Sequence, residues 1–340
     1  MLSPMRIDEQ ALGAAAERNH FTGVVAIDAG DERLYRRSFG QAHRALGVPN
    51  TPDTRFAIAS GSKTFTAAAV LRLVELGQLG LYDPVRPILG TDLSLVDDAV
   101  TVEQLLGHTS GIGDYLDEED EWDAADYVLG VPVHTLAETP AFLPVIDGYP
   151  QAFTPGERFS YCNGGYIVLA IIIERASAMG FHDFVQQQVF DRAGLAATGF
   201  LRSDELPGDA ALGYLEATGD RNNVLHLPVR GSGDGGAYST AADLHRFWRS
   251  LTAGRVVGDH LLAEMWRPRQ AVPEEGLSYG LGVYVHPTAG VLAMEGYDAG
   301  VSMRSIHDPA TATTASVLGN SSEGACPLAS LLLDLFTEEG

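Results

Sequence analysis

Strand-like segments gather at the two ends of this 340-residue chain and helical ones fill its middle. That distribution predicts an α/β (α+β) architecture built from both termini, with a helical insertion between them. Two observations carry the expectation. Alternating apolar segments occupy residues 21–37 and recur from 281 to 318, whereas residues 81–230 interleave helical patterns with Pro and Gly loops. Between the two regimes lies a clear break, Gly231-Ser232-Gly233-Asp234-Gly235-Gly236. The expected division is therefore 1–80 plus 232–340 for the α/β part and 81–231 for the mainly helical part, with an active site between them.

In order along the chain, residues 8–18 are amphipathic and predict a helix. Residues 21–27 and 33–37 read as strands separated by a Gly and acidic turn. From Ser60 a helical pattern runs through Ala-rich sequence and stops near Gly77. Past the glycine break, Ser239-Thr240-Ala241-Ala242-Asp243 has the form of a capped helix start. Segments 281–286, 291–294, 301–306 and 313–318 follow as strands, and the apolar run 327–336 as a closing helix.

Bulk properties narrow the function. A formal net charge of −23 repels phosphate backbones and anionic lipid, which argues against nucleic-acid and membrane partners. The N-terminal sequence lacks the basic and apolar regions of a secretory signal, and the expectation is a cytoplasmic protein. Cys162 and Cys326 make no disulfide framework, and no Cys/His spacing fits a zinc site, so neither a metal nor an organic cofactor is implied. Oligomeric state is not legible.

The 22 basic residues comprise 21 arginines and one lysine, Lys63. Arginine serves as well for surface charge, but it cannot lose its proton as a buried lysine can. Ser60-Gly61-Ser62-Lys63 places that lysine one helical turn from a serine. At the first turn of a helix, positive partial charge favours an alkoxide and disfavours an ammonium, so Lys63 suits the role of base to a Ser60 nucleophile. Farther on, Tyr161-Cys162-Asn163 precedes an apolar helical run. A tyrosine near a cation can relay a proton, and Asn163 offers both donor and acceptor to a substrate carbonyl or to Lys63.

Together these motifs resemble the serine β-lactamase and penicillin-binding-protein-like hydrolases, nearest to class C β-lactamases, family VIII carboxylesterases and D-specific peptidases. Ser60-Gly61-Ser62-Lys63 matches the nucleophile motif and Tyr161-Cys162-Asn163 the Tyr-x-Asn motif. Leu105-Leu106-Gly107-His108-Thr109-Ser110-Gly111, Gly235-Gly236-Ala237-Tyr238-Ser239-Thr240 and Tyr279-Gly280-Leu281-Gly282 are also typical, in the family's order. The resemblance implies an antiparallel sheet flanked by helices, Ser60 as nucleophile, Lys63 as base, Tyr161 as proton shuttle and a structural His108. It implies attack on a small-molecule ester or amide through an acyl-enzyme.

One motif departs from the family. Where Lys-Thr-Gly or His-x-Gly is usual, the chain reads Met294-Glu295-Gly296. Gly296 still allows close approach, and the backbone N–H groups of Ser60 and Tyr297 can form an oxyanion hole. Asn163, Glu295, Gly296 and Tyr297 are thus the expected substrate-contacting positions. A thioether cannot hold a carboxylate and Glu295 would repel one, so the expected activity is that of a carboxylesterase with weak or no β-lactamase activity, unless Arg304 or Arg230 restores the cation. A D-aminopeptidase or amidase, a transacylase, and a non-hydrolytic binding or sensor protein share the same residues. The acidic stretch 114–121 reads as a solvated face that modestly favours a cationic substrate. Gly276-Leu277-Ser278-Tyr279-Gly280 satisfies G-x-S-x-G, but a strand rather than a helix is expected after it, which argues against Ser278 as nucleophile.

Overall fold

Val25 of the first strand lies opposite Val317 of the last, so the central sheet joins the two ends of the chain. The computed structural model describes residues 7–116, 126–273 and 276–337. Among them, eight strands form the main sheet: β1 (Gly23–Ala29), β2 (Glu32–Phe39), β3 (Gln270–Val272), β4 (Leu277–Tyr279), β5 (Tyr284–Val285), β6 (Leu292–Asp298), β7 (Val301–Asp308) and β8 (Thr313–Gly319). They lie in the order β2-β1-β8-β7-β6-β5-β4-β3, and every neighbouring pair is antiparallel. Between residues 81 and 231 the described chain supplies helices, turns and isolated bridges, and no strand of this sheet.

Helices α1 (Glu9–Arg18), α2 (Ser62–Glu75), α3 (Asn163–Ser177), α4 (Ala241–Thr252) and α5 (Ala325–Thr337) cover the two faces. Side chains alternate between those faces along each strand. On β1, Val24 and Ala26 enter one hydrophobic cluster with α2, α3 and α4, while Val25 and Ile27 enter a second with α1 and α5. Local signals account for the helix starts. Asp8 accepts the Ala11 N–H (2.9 Å) ahead of α1, and Thr240 Oγ1 accepts the Asp243 N–H (3.1 Å) ahead of α4.

Helices α2 and α3 are internal, which is why their sequences are apolar or small on nearly every face. Residues 62–71 of α2 and 163–173 of α3 are all buried. Phe65 anchors α2, its ring edge-on to Phe190 (5.1 Å) and Phe247 (4.7 Å). Gly77, at φ 69°, adopts the left-handed conformation that ends the helix.

Two sequence expectations need correction. Ser60 does not open the α-helix: it sits in a 3₁₀ turn, Ala59–Gly61, and α2 begins at Ser62. The strand expected over 281–286 shrinks to Tyr284–Val285, because Leu281 donates its N–H to Met265 O and Gly282 turns at φ 72° against Ala67.

Removing the Phe65 ring should be costly. Phe65→Ala is expected to destabilise the fold by about 3–5 kcal/mol, read as a lower denaturation midpoint with unchanged slope.

Candidate active site

Ser60 follows a residue in a conformation that side chains avoid. Ala59 has φ 42°, in the left-handed region that costs a Cβ-bearing residue about 1–2 kcal/mol. The surroundings fix it there. Phe56–Ala57 pairs with Tyr238–Ser239, and the Ile58 N–H donates to Ala237 O (2.9 Å). Ser62 Oγ donates to Ala59 O (2.8 Å) and accepts the Ala237 N–H (3.0 Å). One glycine then lets backbone approach the turn: a Cβ on Gly296 would lie 2.1 Å from Ile58 O.

Lys63 is 2% exposed, and its Nζ lies 2.8 Å from Ser60 Oγ, 2.8 Å from Asn163 Oδ1 and 2.7 Å from Asp234 O. The Asn163 amide is oriented by its Nδ2, which donates to Leu116 O (3.3 Å). Asn163 Oδ1 and Asp234 O are carbonyl oxygens that can only accept. In a neutral amine they take both N–H groups, and the lone pair is left facing the Ser60 hydroxyl.

Tyr161 lies on the other side of that amine, its ring centroid 4.8 Å from Lys63 Nζ. Its ring stacks on His108 (4.3 Å, 30°). His108 is fully engaged elsewhere: Nδ1 accepts the Cys162 N–H (3.0 Å), so Nε2–H faces Tyr279 Oη (3.2 Å). Burial, helped by the nearby Lys63 charge, holds its protonation well below the ordinary histidine range. The imidazole is a neutral support for Tyr161 and Cys162, and it makes no hydrogen bond to Ser60 or Ser110.

Asn163 is held in turn by Asp114. The Asp114 carboxylate accepts the N–H groups of Asn163 and Gly164 at the start of α3, together with those of Tyr115 and Leu116. Burial pushes this carboxyl up to about 6, against the pull of the four backbone donors. Asp114 thus corrects the expectation of a solvated acidic face; residues 117–121 of that stretch lie outside the described residues.

The departing third motif lies on β6. Strand β5 pairs only with Leu292 and Ala293, so from Met294 onward that edge of β6 has no partner strand among the described residues and runs over the Ser60 turn. Met294 is 1% exposed and packs in the core. Glu295 lies directly across from Arg304 of β7 and forms an ion pair with it. The charge that would repel an anion is therefore already engaged, which corrects the expectation drawn from Glu295 alone. Arg230 sits elsewhere, donating to Phe200 O and Glu138. Ser60, Tyr161, Gly296, Tyr297 and the Glu295–Arg304 pair line one cavity of about 330 Å³.

Ser278 belongs to β4, opposite Ala271 and Val285, and no helix follows it. The sequence missed the Asp234 carbonyl, the hold of Asp114 on the start of α3 and the pairing of Arg304 with Glu295. Only the buried, glycine-flanked position of Asp114 in Gly111-Ile112-Gly113-Asp114 left a signal, and a weak one.

An antiparallel sheet with helices on both faces and a serine–lysine turn against its inner edge defines the penicillin-binding protein and β-lactamase fold. The chain belongs to the Beta-lactamase family, whose model matches residues 9–330. It is similar to the crystal structure of a penicillin-binding protein from Bacillus halodurans, with a TM-score of 0.89 and 35% identity, covering 96% of this chain and 100% of that one. It is 30% identical over 282 residues to penicillin-binding protein 4* of Bacillus subtilis, covering 78% of this chain and 60% of the relative. Against esterase EstB of Burkholderia gladioli it is 32% identical over 214 residues, covering 58% and 52%. The chain thus spans about half to three fifths of these curated relatives.

Asp114→Ala should leave the Asn163 and Gly164 N–H groups at the start of α3 without their acceptor and cost about 1–3 kcal/mol in chemical denaturation. Asp114→Asn should recover part of that loss, since its amide oxygen still accepts.

Proposed function

We propose that this chain is a serine hydrolase that cleaves a small-molecule ester or amide through a Ser60 acyl-enzyme, acting as a carboxylesterase with weak or no β-lactamase activity. One observation carries the reading: Lys63 Nζ is tied to two carbonyl oxygens and to Ser60 Oγ at 2.8 Å. The Ser60 O–H proton passes to the Lys63 amine as Oγ bonds the substrate carbonyl carbon. The resulting oxyanion is received by the backbone N–H groups of Ser60 and Tyr297. As the bond to the leaving group breaks, the Tyr161 hydroxyl supplies its proton and regains one from Lys63. Water then hydrolyses the Ser60 ester by the reverse sequence.

The low expected β-lactamase activity follows from the third motif. Met294 is buried, and the Arg304 guanidinium already pairs with Glu295, so binding a substrate carboxylate there means competing with an existing ion pair. An uncharged or amine-bearing acyl compound meets no such competition.

Intact-protein mass spectrometry after a fluorophosphonate should show one adduct, absent in Ser60→Ala; labelling that persists in Ser60→Ala, or maps to Ser278, would contradict the proposal. Lys63→Arg keeps the charge but removes the base, and it should slow turnover of a p-nitrophenyl acetate ester by a factor of about 10²–10⁴. Retention of the rate in a folded Lys63→Arg protein would show that another group is the base.

A further inference from the structure

A second cavity, of about 70 Å³, lies against the same turn but shares no lining residue with the one that holds Ser60 and Tyr161. Ala59 and Gly235 form one wall, and Asp298, the residue after Tyr297, forms another. Its polar lining includes Asp234, Asp298, Tyr115 and Ser232, and no lysine or arginine among the described residues. Leu201 and Leu227 supply apolar walls, which strengthen any charge interaction inside by excluding water. The volume is several times the roughly 10–15 Å³ that one water-sized group requires.

Two independent features mark it as a binding chamber rather than a packing gap. Ser232 is 1% exposed, lines the cavity, and its Oγ has no hydrogen-bond partner, an expensive state for a buried hydroxyl. Asp234 Oδ2 accepts the Tyr115 hydroxyl (2.6 Å), so the carboxylate is oriented by a neutral group rather than neutralised by an arginine. Burial pushes the Asp234 carboxyl up, while Lys63 and Tyr115 pull it back.

The position of the chamber sets what enters it. A tetrahedral carbon on Ser60 Oγ directs its oxyanion to the Ser60 and Tyr297 N–H groups and its leaving group to the cavity of Tyr161, the proton donor. Asp234, whose carboxylate lines the chamber, also gives its carbonyl to Lys63 Nζ (2.7 Å), which lies 2.8 Å from Ser60 Oγ, so the acidic wall of the chamber and the nucleophile share one amine. On the reading of Ser60 as the acylated residue, we propose that this chamber binds the acyl side of the substrate and selects a short acyl chain ending in a primary ammonium. The ammonium donates to Asp234 and to Ser232 Oγ, and the apolar walls hold the methylenes.

The test compares two esters of 4-methylumbelliferone that differ only in the acyl terminus, β-alanyl and butyryl, after subtraction of spontaneous hydrolysis. The wild-type ratio of kcat/KM, β-alanyl over butyryl, should be about 10 or more, the size of one charge-assisted hydrogen bond. That ratio should fall about tenfold in Asp234→Asn and about threefold in Ser232→Ala, whatever happens to the absolute rates. A wild-type ratio of one or less, or a ratio unmoved in both variants, overturns the proposal. A butyryl adduct on Ser60 without amine preference defeats the acyl-chain assignment alone. Absence of any Ser60 adduct from either ester defeats the hydrolase reading and this inference with it.

Discussion

One buried amine organises the centre of this protein. Lys63 reaches Ser60 from the same helical turn, Asn163 from the start of a helix 100 residues on, and the Asp234 carbonyl from the loop before α4. Each partner arrives through a different part of the fold, so the fold must hold all of them in register for the amine to be satisfied. A buried lysine with unmatched acceptors would be costly, and the elements around it are arranged to supply those acceptors. Asp114 locks the N-terminus of α3, His108 holds the Cys162 N–H, and Ser62 ties the nucleophile turn to Ala237.

The same requirement explains the backbone oddities nearby. Ala59 at φ 42° aims Ser60 out of the turn, and the strain is distributed over the strand pair and hydrogen bonds that hold it. Gly296 then allows β6 to reach backbone contact with the turn that carries Ser60. The result is a serine between two chambers, one carrying Tyr161 and an ion pair, the other carrying a buried carboxylate and an unpartnered hydroxyl. The proposed chemistry follows from that division, with the leaving group on one side and the acyl group on the other.

Much of this was legible in the sequence, for identifiable reasons. Period-two alternation placed β1, β2, β6, β7 and β8 but not the short strands β3 and β4, and a spacing of three residues put Ser60 and Lys63 on one helical turn. The use of lysine only once pointed to the residue at the centre. Resemblance to a family located Tyr161 and Asn163, which local pattern could not join to Lys63 across 100 residues. What escaped was set by tertiary register. Glu295 read alone carries a repelling charge; strand pairing places Arg304 opposite and cancels it. Asp114 opens a run of acidic residues that looks solvated, yet it is buried as a helix cap. Strand 281–286 was shortened by glycines at 280 and 282, which pack against Met265 and Ala67.

The single lysine makes the central claim directly measurable. Protein labelled with [¹³Cε]lysine carries one such side chain, so its NMR spectrum reports Lys63 without assignment. If Lys63 is the base, its two N–H groups go to Asn163 and Asp234 and its lone pair to Ser60, and the resonance should have the shift of a neutral amine at the pH of activity. It should then change when Ser60 is phosphonylated. An ammonium shift at that pH, unaltered by modification of Ser60, would contradict Lys63 as the base.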